Sequence, residues 1–267
     1  MNDIDFDRLR AIGLNDALAQ RASAAAAAQR GTDLVPMRIT TVHRSSLELS
    51  DGVDVRAARA LPRLLRSGVD ALAVGDWVLV GADTAGDLWV REQIAPTSRI
   101  CRRDGDGSVH AIVSNVDRAL IVVGLDDDFN LRRLERYLAL VTASGVRPLV
   151  VLSKADIAAR DPRRRDDLLA QLSRRLGADL ETVAVDATDP RSAAAFATLD
   201  RGGQTLVVLG SSGAGKSTLT NTLLGAAVQD TGAVRVNDGR GMHTTTARSL
   251  HRLPGGACII DTPGLRT

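Results

Sequence analysis

The sequence predicts an α/β protein in which a small antiparallel β-domain precedes a parallel sheet covered by helices on both faces. Three observations carry that expectation. Between Val35 and Ile100, short segments alternate apolar and polar residues and are punctuated by Gly and Asp. From Asp117 onward, continuous apolar runs alternate with stretches of helical period, the pattern of strands buried on both sides. One of those runs is followed by G-S-S-G-A-G-K-S-T, residues 210–218, a Gly-rich loop that opens a helix.

The bulk numbers set limits on this fold. A chain of 267 residues with 44% apolar content buries a real core, and with only 2% aromatics that core is built from Val, Leu, Ile and Ala. Net charge is +2 from 34 basic and 32 acidic residues, so no global basic field points to nucleic acid, and no DNA partner is expected. Arginines do cluster, at 132–133 with 136, at 163–165 and at 174–175; they read as solvated helix faces, with a phosphate-contacting surface as the alternative. Cys101 and Cys258 lie far apart without CxxC or Cys/His spacing. That fits a reducing compartment and excludes a structural zinc site assembled within these residues alone. The first residues, M-N-D-I-D-F-D-R-L-R, are acidic and carry no apolar core of a signal peptide, and no apolar run approaches a bilayer span. A soluble, cytoplasmic protein with no membrane partner is expected.

Four segments follow in order. Residues 1–34 read as a helical extension whose Ala24–Ala28 tract has high helix propensity but little to bury, so it is expected to be peripheral. Residues 35–100, with M-R-I-T-T-V-H-R, V-G-D-W-V-L-V and D-L-W-V-R-E-Q-I, are too short for a sandwich and predict a closed barrel of the OB type. Residues 101–116, beginning C-R-R-D-G-D-G-S-V-H, read as a linker and domain entry; the Glu that would close a calcium loop is missing. Residues 117–267 supply the strands A-L-I-V-V-G, P-L-V-V-L, L-E-T-V-A-V, T-L-V-V-L and A-C-I-I. They also supply a helix with Leu131, Leu134, Tyr137, Leu138 and Val141 on one face, and a second at 166–176.

Within that last segment the Gly-rich loop satisfies GxxxxGK[ST]. Its residues Gly210, Ser211, Ser212, Gly213, Ala214, Gly215, Lys216, Ser217 and Thr218 are those of a phosphate cradle. Backbone N–H groups turn inward, the helix N-terminus stands behind them, Lys216 reaches the outer phosphates and the Ser217 hydroxyl meets Mg²⁺. D-T-P-G, residues 261–264, ends a strand; Asp261 there binds Mg²⁺ through water, and the Gly264 N–H meets the terminal phosphate. S-K-A-D, residues 153–156, matches the N-K-x-D guanine reader, with Asp156 accepting from the ring N–H and amine of guanine, Lys154 laying its stem along the base, and Ala155 between them. Ser153 stands where Asn is usual; its shorter reach and single donor predict a weaker tie between the neighbouring loops. In A-V-D-A-T, residues 184–188, the Ala187 N–H is the donor toward the guanine oxygen, with Asp186 in place of the usual Ser. G-R-G-M-H-T-T-T, residues 239–246, has the composition of a switch loop in which one of Thr244, Thr245 or Thr246 supplies a second hydroxyl to Mg²⁺; Thr245 is the central candidate. Leu265 follows D-T-P-G where a water-orienting Gln is common, and a leucine cannot orient water, so His243 is the candidate catalytic residue.

The base reader precedes the phosphate loop, the reverse of the usual order. Read cyclically from Thr205, the elements run phosphate loop, switch loop, D-T-P-G, then wrap to Ala119, S-K-A-D and A-V-D-A-T, which accounts for a six-stranded Ras-like sheet. Termini of compact domains often lie close together, so such a circular permutation leaves packing intact.

This order, with a β-barrel ahead of it, resembles the circularly permuted GTPase family RsgA (YjeQ/YloQ). The resemblance covers roughly residues 35–267 and rests on V-G-D-W-V, S-N-V-D-R-A-L-I-V-V, F-N-L-R-R-L-E-R-Y-L, G-S-S-G-A-G-K-S-T, H-T-T-T and L-P-G-G-A-C-I-I-D-T-P-G-L-R. It implies a factor that binds GTP and GDP with Mg²⁺ and assists late maturation of the small ribosomal subunit; a monomer is expected. It also implies binding to ribosomal RNA through the barrel, and slow GTP hydrolysis until the subunit stimulates it. His243 then corresponds to the suspected catalytic histidine before the Thr run, although Met242 stands where the family usually has Arg. The family also continues beyond D-T-P-G into a helical zinc-binding domain whose ligands lie outside residues 1–267, so impaired ribosome docking is expected of this chain. Three other readings compete: a nucleotide-gated RNA-binding module with negligible hydrolysis, a permuted GTPase of large-subunit assembly, which leaves the barrel unexplained, and an ATPase, which leaves S-K-A-D without a role.

Overall fold

The computed structural model describes residues 5–29, 34–65, 68–177, 180–227 and 248–264. Contacts divide the chain into two compact units, one of residues 1–117, 200–205 and 247–260 and one of residues 118–199, 206–246 and 261–267.

The first unit begins with α1 (Phe6–Arg10) and α2 (Asp16–Ala28). The expected single helix is broken at Gly13, which turns the chain at φ +91°. α2 then restarts behind Asn15, whose side-chain oxygen accepts the Leu18 N–H at 2.9 Å as an N-cap. The Ala24–Ala28 tract is partly or fully exposed, as its composition implies, but the residues before it are not peripheral: Leu14, Leu18 and Ala22 are fully packed. The barrel follows as β1 (Val35–Val42), β2 (Leu47–Ser50), β3 (Val55–Ala60), β4 (Trp77–Ala82) and β5 (Leu88–Gln93). Their order is β1-β2-β3-β5-β4, and β4 pairs back onto β1, so the sheet closes and leaves no free edge. Alternation does the sorting: in β3 Ala58 and Ala60 face the core while Ala57 and Arg59 face out, and the interior is Met37, Ile39, Leu49, Val78, Val80 and Val90.

Arg38 on β1 is fully buried, which its charge forbids unless it is satisfied. Its guanidinium donates to the carbonyls of Ile12, Gly75 (3.3 Å) and Asn115 (3.2 Å) and stacks over Trp77 at 5.6 Å. Burial lowers its pKa, and nearby Cys258, Asp117 and Asp76 oppose that. One side chain thus joins the turn after α1, the barrel and the segment leaving it. That segment is β6 (Arg99–Arg103) and β7 (Val109–Ser114), an antiparallel ribbon formed by the residues expected to be a linker. Asp104 and Gly107 close its turn, with the Gly107 N–H on the Asp104 carbonyl at 3.0 Å.

In the second unit the strand–helix rhythm is as read from the sequence: β8 (Arg118–Gly124), α3 (Leu131–Ala143), β9 (Arg147–Ser153), α4 (Ala155–Ala158), α5 (Pro162–Leu176), β10 (Thr182–Ala184), β11 (Thr205–Gly210) and α6 (Lys216–Leu224). The strands run parallel in the order β10-β9-β8-β11. Leu120, Ile121 and Val122 of β8 and Leu149 to Leu152 of β9 are buried, and α3 packs Leu134, Tyr137 and Val141 inward. The registers Gly124 opposite Ser153, Leu152 opposite Ala184 and Val122 opposite Gly210 bring all four carboxyl ends to one edge, where open parallel sheets bind ligands. The last strands, β12 (Ser249–Arg252) and β13 (Cys258–Asp261), form a hairpin; its turn is held by Asp200, which accepts the Gly255 N–H at 2.7 Å and the Ala257 N–H at 3.1 Å. β12 pairs antiparallel with β1, and β13 ends in D-T-P-G. No helix among the described residues is long and apolar enough to cross a membrane.

Candidate nucleotide site

The phosphate loop leaves β11 at Gly210 and enters α6 at Lys216. Gly215 is the N-cap of α6 at φ +90°, a conformation that other residues rarely adopt, and no side chain caps the helix. The first-turn N–H groups are therefore left for an anion. Ser212 and Gly213 are exposed on the crest of the loop, Ala214 is buried beneath it, and Ser211, Ser217 and Thr218 are half-buried around its rim. The Ser211 hydroxyl lies 3.4 Å from Asp128, and the Lys216 ammonium donates to the Ser211 carbonyl at 2.7 Å, so the lysine arches over its own loop. Burial brings the Lys216 pKa down to about 8, against the pull of Asp261.

Asp261 is the complementary feature. Its residue is fully buried, and both carboxylate oxygens lack a hydrogen-bond partner among the described residues. Burial raises its pKa to about 6; Lys216 and the Thr262 N–H favour the charged form, although that N–H completes no hydrogen bond. An orphaned carboxylate beside a phosphate loop is the donor that a hydrated Mg²⁺ would use, so the residues present fit the metal. The Thr262 hydroxyl fastens the loop after β13 to the Val208 carbonyl at 2.7 Å. Gly264 lies so close to the phosphate loop that a Cβ there would sit 2.8 Å from the Ser212 nitrogen. No three His, Cys, Asp or Glu side chains are grouped to hold a metal ion among the described residues.

The loops expected to read the base converge on the same edge. The Ser153 hydroxyl lies 2.6 Å from the Ala214 carbonyl and 3.3 Å from that of Val123, so the short residue does tie the reader to the phosphate loop. Lys154 is held in the left-handed region at φ 60°, which costs a non-glycine residue ~1 kcal/mol. Its ammonium forms an ion pair with Asp126. The Ala155 N–H donates to the Val185 carbonyl at 3.2 Å, and the Ala187 carbonyl accepts the Thr222 hydroxyl of α6 at 2.6 Å. Asp186, in place of Ser, accepts the Thr188 N–H at 2.8 Å and bends the chain so that Ala187 is buried at the edge. Asp156 is exposed in the first turn of α4.

The structure thus gathers residues 153–156, Ala187, the phosphate loop, Asp261 and Gly264 in one unit. His243, Thr244 to Thr246 and Leu265 lie outside the described residues. Sequence reasoning missed Asp126 and Asp128; the signal was the D-D-D run directly after the apolar strand A-L-I-V-V-G-L, at the edge where the loops meet.

A family model described as RsgA GTPase matches residues 94–267. The chain belongs to the RsgA GTPase family. Its curated relatives include two proteins named small ribosomal subunit biogenesis GTPase RsgA. The one from Xanthomonas campestris pv. campestris (strain B100) is 43% identical over 239 residues, and the one from Xanthomonas oryzae pv. oryzae (strain MAFF 311018) is 43% identical over 240. Each alignment covers 87% of this chain and 63% of the relative, so the chain spans less than two thirds of their length. Two solved structures share the fold. YjeQ from Thermotoga maritima superposes with TM-score 0.60 at 18% identity, over 86% of this chain and 74% of that one. YloQ, described as a circularly permuted GTPase, gives 0.59 at 20%, over 90% and 74%. Barrel first and permuted phosphate-loop domain second, the RsgA arrangement is the fold class read from the sequence.

Proposed function

We propose that this chain is the nucleotide-binding part of a factor for small-ribosomal-subunit maturation, which binds GTP or GDP with Mg²⁺ and hydrolyses GTP. One observation carries the reading: four loops from strands far apart in sequence meet at one sheet edge around an uncapped helix N-terminus, beside a buried carboxylate with no hydrogen-bond partner among the described residues. The relatives' names support the small subunit as the partner; a cytoplasmic place of action is part of the proposal.

In this reading Asp156 selects guanine, since adenine would leave the carboxylate unpaired, a loss of roughly 10⁴-fold. Ala187 offers its N–H to the guanine oxygen, and the Lys154 stem packs along the ring. The N–H groups from Ser211 to Thr218 and the Lys216 ammonium hold the phosphates. Ser217, Asp261 through water and Thr245 hold Mg²⁺, which when bound neutralises charge that develops on the phosphates. Gly264 donates its N–H to the terminal phosphate, and His243 positions the attacking water, a task Leu265 cannot perform. The barrel contacts ribosomal RNA, and the protein acts as a monomer. The family's zinc site is expected outside residues 1–267.

GTP turnover by this chain with purified small and large subunits tests the function: stimulation by small subunits alone supports it, and stimulation by large subunits alone refutes it. His243→Ala should abolish the stimulated rate while GTP affinity survives. Leu265 favours one rival, an RNA-binding module gated by nucleotide without hydrolysis; single-turnover assays in which small subunits leave the rate unchanged would support it.

A further inference from the structure

We propose that Asp126 is a positioning residue for the base reader: its carboxylate draws the Lys154 ammonium aside, which fixes the lysine stem for the base and leaves Asp156 free to meet it. The inference rests on the assignment of residues 153–156 as the reader.

Three features of the second unit converge on it. Among the described residues Lys154 is one of two non-glycine residues with positive φ, so its backbone already aims the side chain in an unusual direction. That direction is toward Asp126: the two side chains form an ion pair, each mostly shielded from water, with 29% and 23% of the side chain exposed. Gly124, opposite Ser153 in the β8–β9 register, lets both approach; a Cβ there would lie 2.8 Å from the Asp126 Oδ1 and 3.3 Å from the Lys154 Cδ.

The physical consequence has two parts. A free lysine stem has four rotatable bonds, and its ordering would oppose base binding; the ion pair orders it beforehand. Lys154 and Asp156 are also two residues apart and oppositely charged. An unclaimed ammonium would compete with guanine for the reader carboxylate, whereas Asp156 has no hydrogen bond or ion pair among the described residues. Asp126 therefore supplies, from the β8–α3 side, restraint that the single hydroxyl of Ser153 cannot provide on that side of Lys154.

The test is equilibrium binding to the whole chain of GTP, GDP and inorganic tripolyphosphate, a probe with no base. Asp126→Ala should weaken GTP and GDP by about tenfold and leave tripolyphosphate unchanged, with partial recovery in Asp126→Glu. Added to Lys154→Met it should cause no further loss, because the ammonium is already gone. Asp127→Ala removes the same charge while leaving the Asp126–Lys154 pair in place, and should leave GTP affinity unchanged. Unchanged GTP affinity in Asp126→Ala, an equal loss in Asp127→Ala, or an equal loss for tripolyphosphate overturns the proposal. Asp156→Asn, assayed in parallel, reports on the reader itself: if it switches base preference and Asp126→Ala does nothing, the reader stands and the positioning role falls.

Discussion

The Ser153 hydroxyl donates to the Ala214 carbonyl at 2.6 Å, joining the first residue of the base reader to the floor of the phosphate loop 61 positions later. In the proposed reading these two loops hold opposite ends of one nucleotide and are coupled through a single proton. Ser153→Ala leaves a buried carbonyl without its donor, a loss of about 1 kcal/mol. GTP affinity should fall about fivefold in fluorescence titration, with no change of base preference.

Asp261 and Lys216 set the pH range of binding. Burial raises the acid to about 6 and lowers the amine to about 8. Below about pH 6 Asp261 is protonated and cannot hold hydrated Mg²⁺; above about pH 8 Lys216 loses the charge that meets the phosphates. Mg²⁺-dependent GTP affinity should therefore peak between the two, falling about tenfold at a pH one unit outside either limit. The Asp261 limb belongs to the carboxyl: Asp261→Asn should flatten the Mg²⁺ dependence on the acid side, beyond what the nucleotide's own titration contributes.

Gly264 has no room for a side chain. A methyl group 2.8 Å from the Ser212 nitrogen must push the D-T-P-G loop away from the phosphate loop. Gly264→Ala should lower GTP turnover by about tenfold or more, as small displacements at a reacting centre do. GDP affinity, which does not need the terminal-phosphate contact, should stay within about twofold.

Arg38 organises the first unit. Arg38→Met removes donors to three buried carbonyls and should destabilise the protein by ~2–4 kcal/mol. In hydrogen exchange the amides of Leu14 and Leu18 should lose protection first, because the turn before α2 is held by the Ile12 carbonyl contact.

Local patterns made much of this legible. The phosphate loop, D-T-P-G and the parallel strands announce themselves by spacing and continuous apolar runs, and the barrel by alternation. Less visible were features that depend on tertiary partners. Gly13 looks like a tolerated glycine inside a helix until Arg38 arrives beneath it. C-R-R and V-H-A-I-V-S, residues 101–103 and 109–114, read as a linker because D-G-D-G dominates between them, yet that dipeptide repeat is a hairpin turn. Reach judged from the Ser153 side chain alone predicts a weak tie; the close approach of Gly215, where a Cβ would lie 3.5 Å from the Ser153 Oγ, brings the phosphate loop to it.

One guanosine nucleotide is expected to span Asp156 and Lys216. Competition of GTP against XTP for Asp156→Asn tests this most directly. The parent should prefer GTP by orders of magnitude and the variant should prefer XTP, with phosphate binding intact in both. A variant that keeps the parent's preference for GTP would contradict the account.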